Sequence, residues 1–584
     1  MATIVLDRIV RGLSLDWLTG PIFDKEMRVS SRRRRNYVLR FLYIGLFTLL
    51  LALIWAESMP YGSSSAYQSS RMAQAGQLIV SFVLWFEFIA VQAIAIVMLS
   101  TSISDEITHR TLGVLMTTPI GSFQIVVGKL LSKLLQLALL LAISLPLLAV
   151  VRVFGGVPWD FLACGLCVTL TTALFVGSLS LLFSIFTRRA YSVIVMTIVM
   201  LGLLFALLPL LVAFLAYYPN DPSAAFLRGL SYVNPYAVLF AATISLQGGP
   251  TMGMAEWPTH CGVMLGASGL LLMLAMGLVR KAALRQAMGQ TGLWSGRGSR
   301  KPEKSMAEGR VRRVVGPPVL WKECRIPLLG KRRVMNVIAG LAVIGLLVAT
   351  YVLCGREGLL NEPEVHVMYL IVFFAVGILF TTVLPATCIA VEKESQCWTL
   401  LLTTSIGEWE ILASKFGGVL RRCAPAWVLL FGHAAVFVMT GAIHPMAILQ
   451  LGSIVAWVVV FLSCTGLYFS SRFKHTTTAV IANMGLAATL WAIVPLILGI
   501  IMEISNMNGG LVEPSLDMNP FVQVIVVAMA TTPGGSLGNY EWVQGEMSSA
   551  ADATGWILLT AFAHVAIGVA LVAWTGSRMR RNLV

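Results

Sequence analysis

The residues of this chain best placed to do chemistry lie in one polar stretch that occurs twice. Residues 102–134 read SISDEITHRTLGVLMTTPIGSFQIVVGKLLSKL, and residues 388–420 read CIAVEKESQCWTLLLTTSIGEWEILASKFGGVL. A constant shift of 286 aligns them without a gap. Among the identical pairs are Glu106/Glu392, Thr117/Thr403, Thr118/Thr404, Gly121/Gly407 and Lys129/Lys415, while Pro119 faces Ser405. Each copy opens on a carboxylate where an apolar run ends. It passes an amphipathic turn, carrying Leu112 and Leu115 or Trp398 and Leu401 on one face, and reaches Thr-Thr and a glycine. A carboxylate there can cap helix donors, or pair with a cation such as Arg28 or Arg325. Threonine hydroxyls beside an exposed turn can meet a partner groove, and glycine lets the turn bend sharply. This is the chemistry of docking and coupling rather than of bond cleavage.

Bond-breaking chemistry has little support elsewhere. The sequence has no G-x-x-x-x-G-K-[ST] loop to cradle ATP phosphates, no G-x-S-x-G and no H-E-x-x-H. Its seven histidines, at 109, 260, 366, 433, 444, 475 and 564, do not cluster in sequence. Cys164 and Cys167 form a CxxC inside an apolar run, without a second pair or a histidine beside it, so packing is expected there rather than a metal or redox site. Glu87 lies within FVLWFEFIAVQ and is an intramembrane polar candidate, since a carboxylate in a bilayer is costly. Its counterpart at the same shift is Phe373. No metal ligand set and no catalytic residue is expected.

The elements that position these residues are membrane helices. Hydrophobic residues make up 57% of the chain and charged residues 12%, a composition that would aggregate in water. Runs long enough to cross a bilayer cover about 38–56, 77–101, 131–154, 161–186, 191–217 and 257–280 in the first half. The second half has 335–354, 367–391, 424–442, 447–470, 477–501 and 554–575. Without water to satisfy the backbone, these must be helices. The expected fold is therefore an all-α polytopic membrane protein of two tandem six-helix domains, residues 1–286 and 317–584, with residues 287–316 as a Gly-, Ser- and Arg-rich cytoplasmic linker.

Charge sets the expected orientation. Of 42 Lys and Arg, all but Arg71, Arg152, Arg228 and Arg356 fall on one side of the twelve-span map, which makes that side and both termini cytoplasmic. The same bias accounts for the net charge of +15 without invoking nucleic acid. Before each half's first span lies a short segment expected to lie flat against the lipid interface. Lys25, Glu26 and Arg28 follow Pro21, and Lys322, Glu323 and Arg325 follow Pro318 in register. Lys129 and Lys415 are expected to snorkel toward the headgroups. Asn234-Pro235 and Asn519-Pro520 each precede an aromatic residue and read as a helix stop and restart on the opposite, outer side.

The six-helix unit resembles the ABC transporter permeases of the second, exporter-like type. Their pattern between membrane helices two and three runs glutamate, Thr-Leu, Leu-x-x-Thr-Pro and Gly-Lys. Glu106, Thr111-Leu112, Leu115, Thr118-Pro119 and Gly128-Lys129 match it. The second copy keeps Glu392, Leu401, Thr404 and Lys415, with Ser405 and Ser414 as departures. The resemblance implies a permease, working in export, whose segments 106–121 and 392–407 are coupling helices. A separate ATPase subunit, in two copies, would dock there and bind the ATP and Mg. The chain itself would be no enzyme and would carry no cofactor. On this resemblance Glu106 is expected to matter more than Glu392. A twelve-helix secondary transporter and a non-transporting membrane scaffold or sensor remain the alternatives.

Overall fold

The computed structural model describes residues 16–31, 65–108, 111–112, 120–187, 190–207, 233–246, 257–287, 316–325, 333–356, 358–495, 512–532, 540–542 and 547–579, with a few isolated positions between them. The chain divides into two compact units, Met1–Ala307 and Glu308–Val584. Both are built from helices, and the described residues form an all-α, multi-pass membrane protein apart from one short ribbon.

The first unit runs α1 (Asp16–Ser31), α2 (Ser65–Ser100), α3 (Ser104–Thr108), α4 (Ser122–Gly155), α5 (Trp159–Phe186), α6 (Ala190–Gly202), α7 (Pro235–Leu246) and α8 (Trp257–Ala287). Its centre is α5, which packs against α2 and α8. The sequence of α5 allows this because its polar residues are small. Thr169, Thr171 and Ser178 turn their hydroxyls back onto the carbonyls of Gly165, Cys167 and Leu174, at 2.6, 2.8 and 2.7 Å. A hydroxyl satisfied within its own helix leaves the surface apolar and closely packable. Cys164 and Cys167 are free thiols; Cys164 belongs to the core around Phe88, Phe161 and Leu239, and Cys167 packs against it. Glu87 is fully buried in α2, and Phe373 at the corresponding position of the second unit is also buried.

The second unit runs α9 (Pro318–Glu323), α10 (Arg333–Arg356), α11 (Pro363–Thr387), α12 (Ala390–Glu394), α13 (Trp398–Leu402), α14 (Glu408–Met439), α15 (Met446–Arg472), α16 (Thr476–Ala488), α17 (Val512–Asp517), α18 (Pro520–Thr531) and α19 (Ala550–Arg578). The ribbon pairs β1 (Tyr540–Glu541) with β2 (Met547–Ser548). Its Tyr540 hydroxyl donates to Gln450 of α15 at 3.0 Å. Here α15 is the hub, packed against α11, α16, α18 and α19. The starts of α4 and α14 and both bounds of α6 and α16 are offset by the same 286 residues as the sequence repeat.

Nine helices among the described residues are long and apolar enough to cross a membrane: Val80–Ser100, Ser122–Pro146, Trp159–Phe186, Trp257–Leu284, Pro363–Glu394, Glu408–Met439, Met446–Arg472, Thr476–Ile493 and Ala550–Arg578. Of the other three expected spans, 38–56 lies outside the described residues apart from isolated positions. Residues 191–217 are described only to 207, as a shorter apolar helix, and 335–354 lies within α10.

Each Asn-Pro does more than restart a helix. α6 and α16 both end in a wide π turn, Leu203–Leu207 and Thr489–Ile493. The Asn234 amide donates to the Phe205 carbonyl at 3.0 Å, and the Asn519 amide to the Trp491 carbonyl at 2.6 Å. The side-chain oxygens of the same asparagines accept from Tyr236 and Phe521 at 3.1 and 3.0 Å, capping α7 and α18. Each asparagine thus ties a helix start to a carbonyl in a π turn, where the regular α-helical pairing is lost. Both tied helices have 12 residues, about 18 Å, too short to cross a bilayer. Asn519→Ala should lower stability by about 1–3 kcal/mol through the lost cap and the orphaned carbonyl. Asn519→Asp should be no better, because it caps but cannot donate to Trp491. Thermal unfolding in detergent checks this ranking.

Candidate functional site

In both units the repeated carboxylate is pinned by the repeated lysine. Glu106 and Lys129 are 3.0 Å apart, and Glu392 and Lys415 are 2.7 Å apart. In each pair the partners stand 23 residues apart in sequence. The chain leaves the end of one long helix at the glutamate, makes its short excursion, and re-enters the bundle in the next helix. The lysine on that helix's second turn therefore returns to the glutamate's level. Neither lysine snorkels to headgroups: Lys129 is 6% exposed and Lys415 1%. An ammonium buried to that degree needs a carboxylate partner.

The Lys-Glu dipeptide near the start of each unit's described helices completes the arrangement. In the second unit Lys322 reaches Glu392 at 3.0 Å, while Glu323 accepts from Lys415 at 2.5 Å and from Arg422 at 2.9 Å. The result is a chain of alternating charge, Lys322–Glu392–Lys415–Glu323–Arg422. Gly418 permits it. A Cβ at that position would lie 2.5 Å from the Glu323 Cβ, so any side chain there would push α9 away from α14. In the first unit Glu26 pairs with Lys133 at 3.1 Å, one turn beyond Lys129. Lys129 also donates to the Ser102 carbonyl, and Thr111 donates to Glu106. Burial pushes the Glu106 carboxyl up, but the Lys129 charge, hydrogen bonds from Thr111 and Lys129, and the Lys25 charge outweigh it. The carboxyl is held below its usual range.

Several expectations are thereby corrected. The cations seen on the repeated glutamates are Lys129, Lys415 and Lys322, and Arg325 is not among them. Arg325 instead lies over its own Trp321 ring at 3.8 Å. The two Lys-Glu dipeptides turn toward the following helices, α4 and α14, rather than only toward lipid. Gly121 and Gly407 are extended N-caps with φ of −73° and −66°, so the bend does not require glycine. Thr403 and Thr404 donate back to Leu400 and Leu401, at 2.9 and 2.6 Å, and close the end of α13. Of its apolar face, Leu402 is buried while Trp398 and Leu401 are half-buried. Thr118 is exposed, whereas Leu115, Thr117 and Pro119 lie outside the described residues. Leu112 is buried, in a core with Ile103, Val126 and Leu130.

The outward face of the second segment is apolar and hydroxylic together. Leu400 is 68% exposed and Trp409 59%, on either side of exposed Thr403, Thr404 and Ser405. Sequence reasoning missed Lys133, Arg422 and the inward role of Lys129 and Lys415. The signal existed: glutamate and lysine recur at one spacing in both copies.

Comparison with known families now bears on this geometry. Residues 21–284 match the family described as ABC-2 family transporter protein. The first unit thus carries a stretch similar to ABC-2 family transporter domains, and the match covers less than half of the chain. Its matched stretch contains most of α1, the Glu106–Lys129 pair and the Asn234 tie; the second unit lies outside the match. No curated protein and no solved structure matches the chain.

The drier network should be the more structural one. Glu392→Gln should cost about 3–5 kcal/mol of stability, because it leaves Lys415 partly uncompensated in a buried site. Glu106→Gln, at a side chain 23% exposed, should cost about 1–3 kcal/mol. Unfolding midpoints of the two variants in detergent test this order.

Proposed function

We propose that this chain is the membrane-spanning permease of an ABC exporter, carrying two ABC-2 domains in one polypeptide. The second unit, 317–584 after its linker, serves as the second domain. What supports this is the recurrence in it of the Glu–Lys pair 23 residues apart, with a Lys-Glu dipeptide on a preceding helix whose glutamate pairs with a lysine of the same following helix. The offset of 286 shared by sequence and by helix bounds supports it as well.

In this reading the network end of each unit faces the cytoplasm, which the lysine and arginine bias supports, and both termini lie on that side of the cell membrane. A separate ATPase subunit, in two copies, docks against 106–121 and 392–407 and binds the ATP and Mg. Leu400, Trp409 and the hydroxyls between them suit a groove on such a subunit. The buried charge pairs make each segment rigid enough to act as a lever: a push on the exposed turn moves the helices to which Lys129 and Lys415 belong. Coupling needs contacts that differ between the ATP-bound and free states, and a rigid segment at the helix mouth can supply them.

The chain purified from its native membranes should carry a subunit that hydrolyses ATP. Leu400→Asp together with Trp409→Ala should lose that subunit while the chain stays folded. After the subunit is stripped away, no ATP hydrolysis should remain. Hydrolysis by the stripped chain, or substrate movement driven by an ion gradient with ATP exhausted, would refute the permease reading and favour a secondary transporter.

A further inference from the structure

The second coupling segment is tied to its neighbours by a set of contacts that includes two charges absent from its counterpart's sequence. It sits on the turn joining α15 to α16. The Ser470 hydroxyl oxygen accepts from the backbone N–H groups of Ile389 and Ala390, at 2.9 and 2.8 Å. Lys393 donates to the Ser471 carbonyl, and to that of Phe473 at 3.5 Å. Glu394 accepts from the Thr476 backbone N–H at 2.8 Å and from its hydroxyl at 3.2 Å, and His475 stands 3.6 Å away.

Adjacent residues of opposite charge thus meet the two helix ends that each suits. The last carbonyls of α15 have no partner within their helix and carry negative partial charge, and a lysine answers them. The first N–H groups of α16 are unpaired donors of positive partial charge, and a glutamate answers them. Residues 107 and 108, which correspond to 393 and 394, are isoleucine and threonine, and neither can supply a charge.

We propose that Lys393 and Glu394 are positioning residues that make the segment 388–407 and the start of α16 move as one body in the second unit. As a route for coupling this rests on the permease reading; as a mechanical link it does not. A displacement of the exposed turn then enters α16 at Thr476. It runs along that helix to the π turn at Thr489–Ile493, where Asn519 holds the Trp491 carbonyl. At the positions corresponding to Lys393 and Glu394 the first unit has Ile107 and Thr108, so the same two charges cannot link its segment to the next helix.

The test uses the full-length chain in lipid nanodiscs, with neither ATP nor ATPase present. Cys397 is exposed and lies between α12 and α13, so a biotin-maleimide and streptavidin attached there displace the segment. Hydrogen–deuterium exchange is then read across 476–488. Attachment should change first-turn exchange of α16 by about threefold or more in the wild-type chain. Lys393→Met with Glu394→Ala should abolish that response, while α11 and α14 keep their protection. Without the label, Glu394→Ala should speed first-turn exchange by about 2- to 30-fold, as loss of a helix cap does. Glu394→Gln should retain most of the response, because its amide oxygen still accepts from Thr476. Should the double variant fold poorly, Lys393→Met alone is read in the same way. An equal response with the clamp cut, or none in the wild-type chain, would overturn the proposal. Failure of the ATPase test would leave this link standing, and failure here would leave the permease reading standing.

Discussion

A lysine buried to 1% exposure between two carboxylates is the constraint on which the second unit depends. Taking Lys415 out of water is tolerable only if Glu323 and Glu392 both stay within hydrogen-bond reach. Those two glutamates come from separate elements, α9 and α12, while Arg422 and Lys415 come from α14. Three pieces of chain are therefore fixed to one another by charge where apolar packing alone would let them slide. Among the described residues the first unit uses the same device with more exposed side chains: Glu106 pairs with Lys129 and Glu26 with Lys133, and the Lys25 charge also acts on Glu106.

The constraint explains local features that look unrelated. Gly418 is small because α9 must approach α14 closely enough for Glu323 to reach two cations. Ser132, its counterpart at the repeat offset, is fully buried as well. The exposed part of the second segment is free to carry Leu400 and Trp409 outward because its fold is held by ions and backbone bonds rather than by those side chains. At the other end of α16 the same economy recurs, where one asparagine amide serves both the π turn and the next helix.

Much of this was legible in the sequence, for physical reasons. Apolar runs identify helices because nothing else satisfies a backbone in lipid. The repeat and its best-kept segment were plain because Glu, Thr-Thr, Gly and Lys recur in register. What was misread is instructive. A lysine near a helix end reads as snorkelling, and only its fixed 23-residue spacing from a glutamate hints that it turns inward. Arg325 looked like a partner of Glu392 as a cation of the interfacial segment, yet Lys322 of that segment reaches Glu392 and Arg325 turns back onto Trp321. Gly121 and Gly407 looked like bends, but their backbones are extended. The π turns have no sequence signature, since Leu203–Leu207 and Thr489–Ile493 are ordinary apolar residues. The clamp of Lys393 and Glu394 falls where the two copies differ, and a repeat-based reading passes over such positions.

The central claim is that the repeated glutamate and lysine act as one interaction rather than as two neighbouring polar residues. A double-mutant cycle on Glu392→Gln and Lys415→Met, read from unfolding free energies in detergent, measures this directly. The account predicts strong non-additivity, with a coupling of about 1–3 kcal/mol and the double variant less destabilised than the sum of the singles. Additive effects, with a coupling near zero, would contradict it.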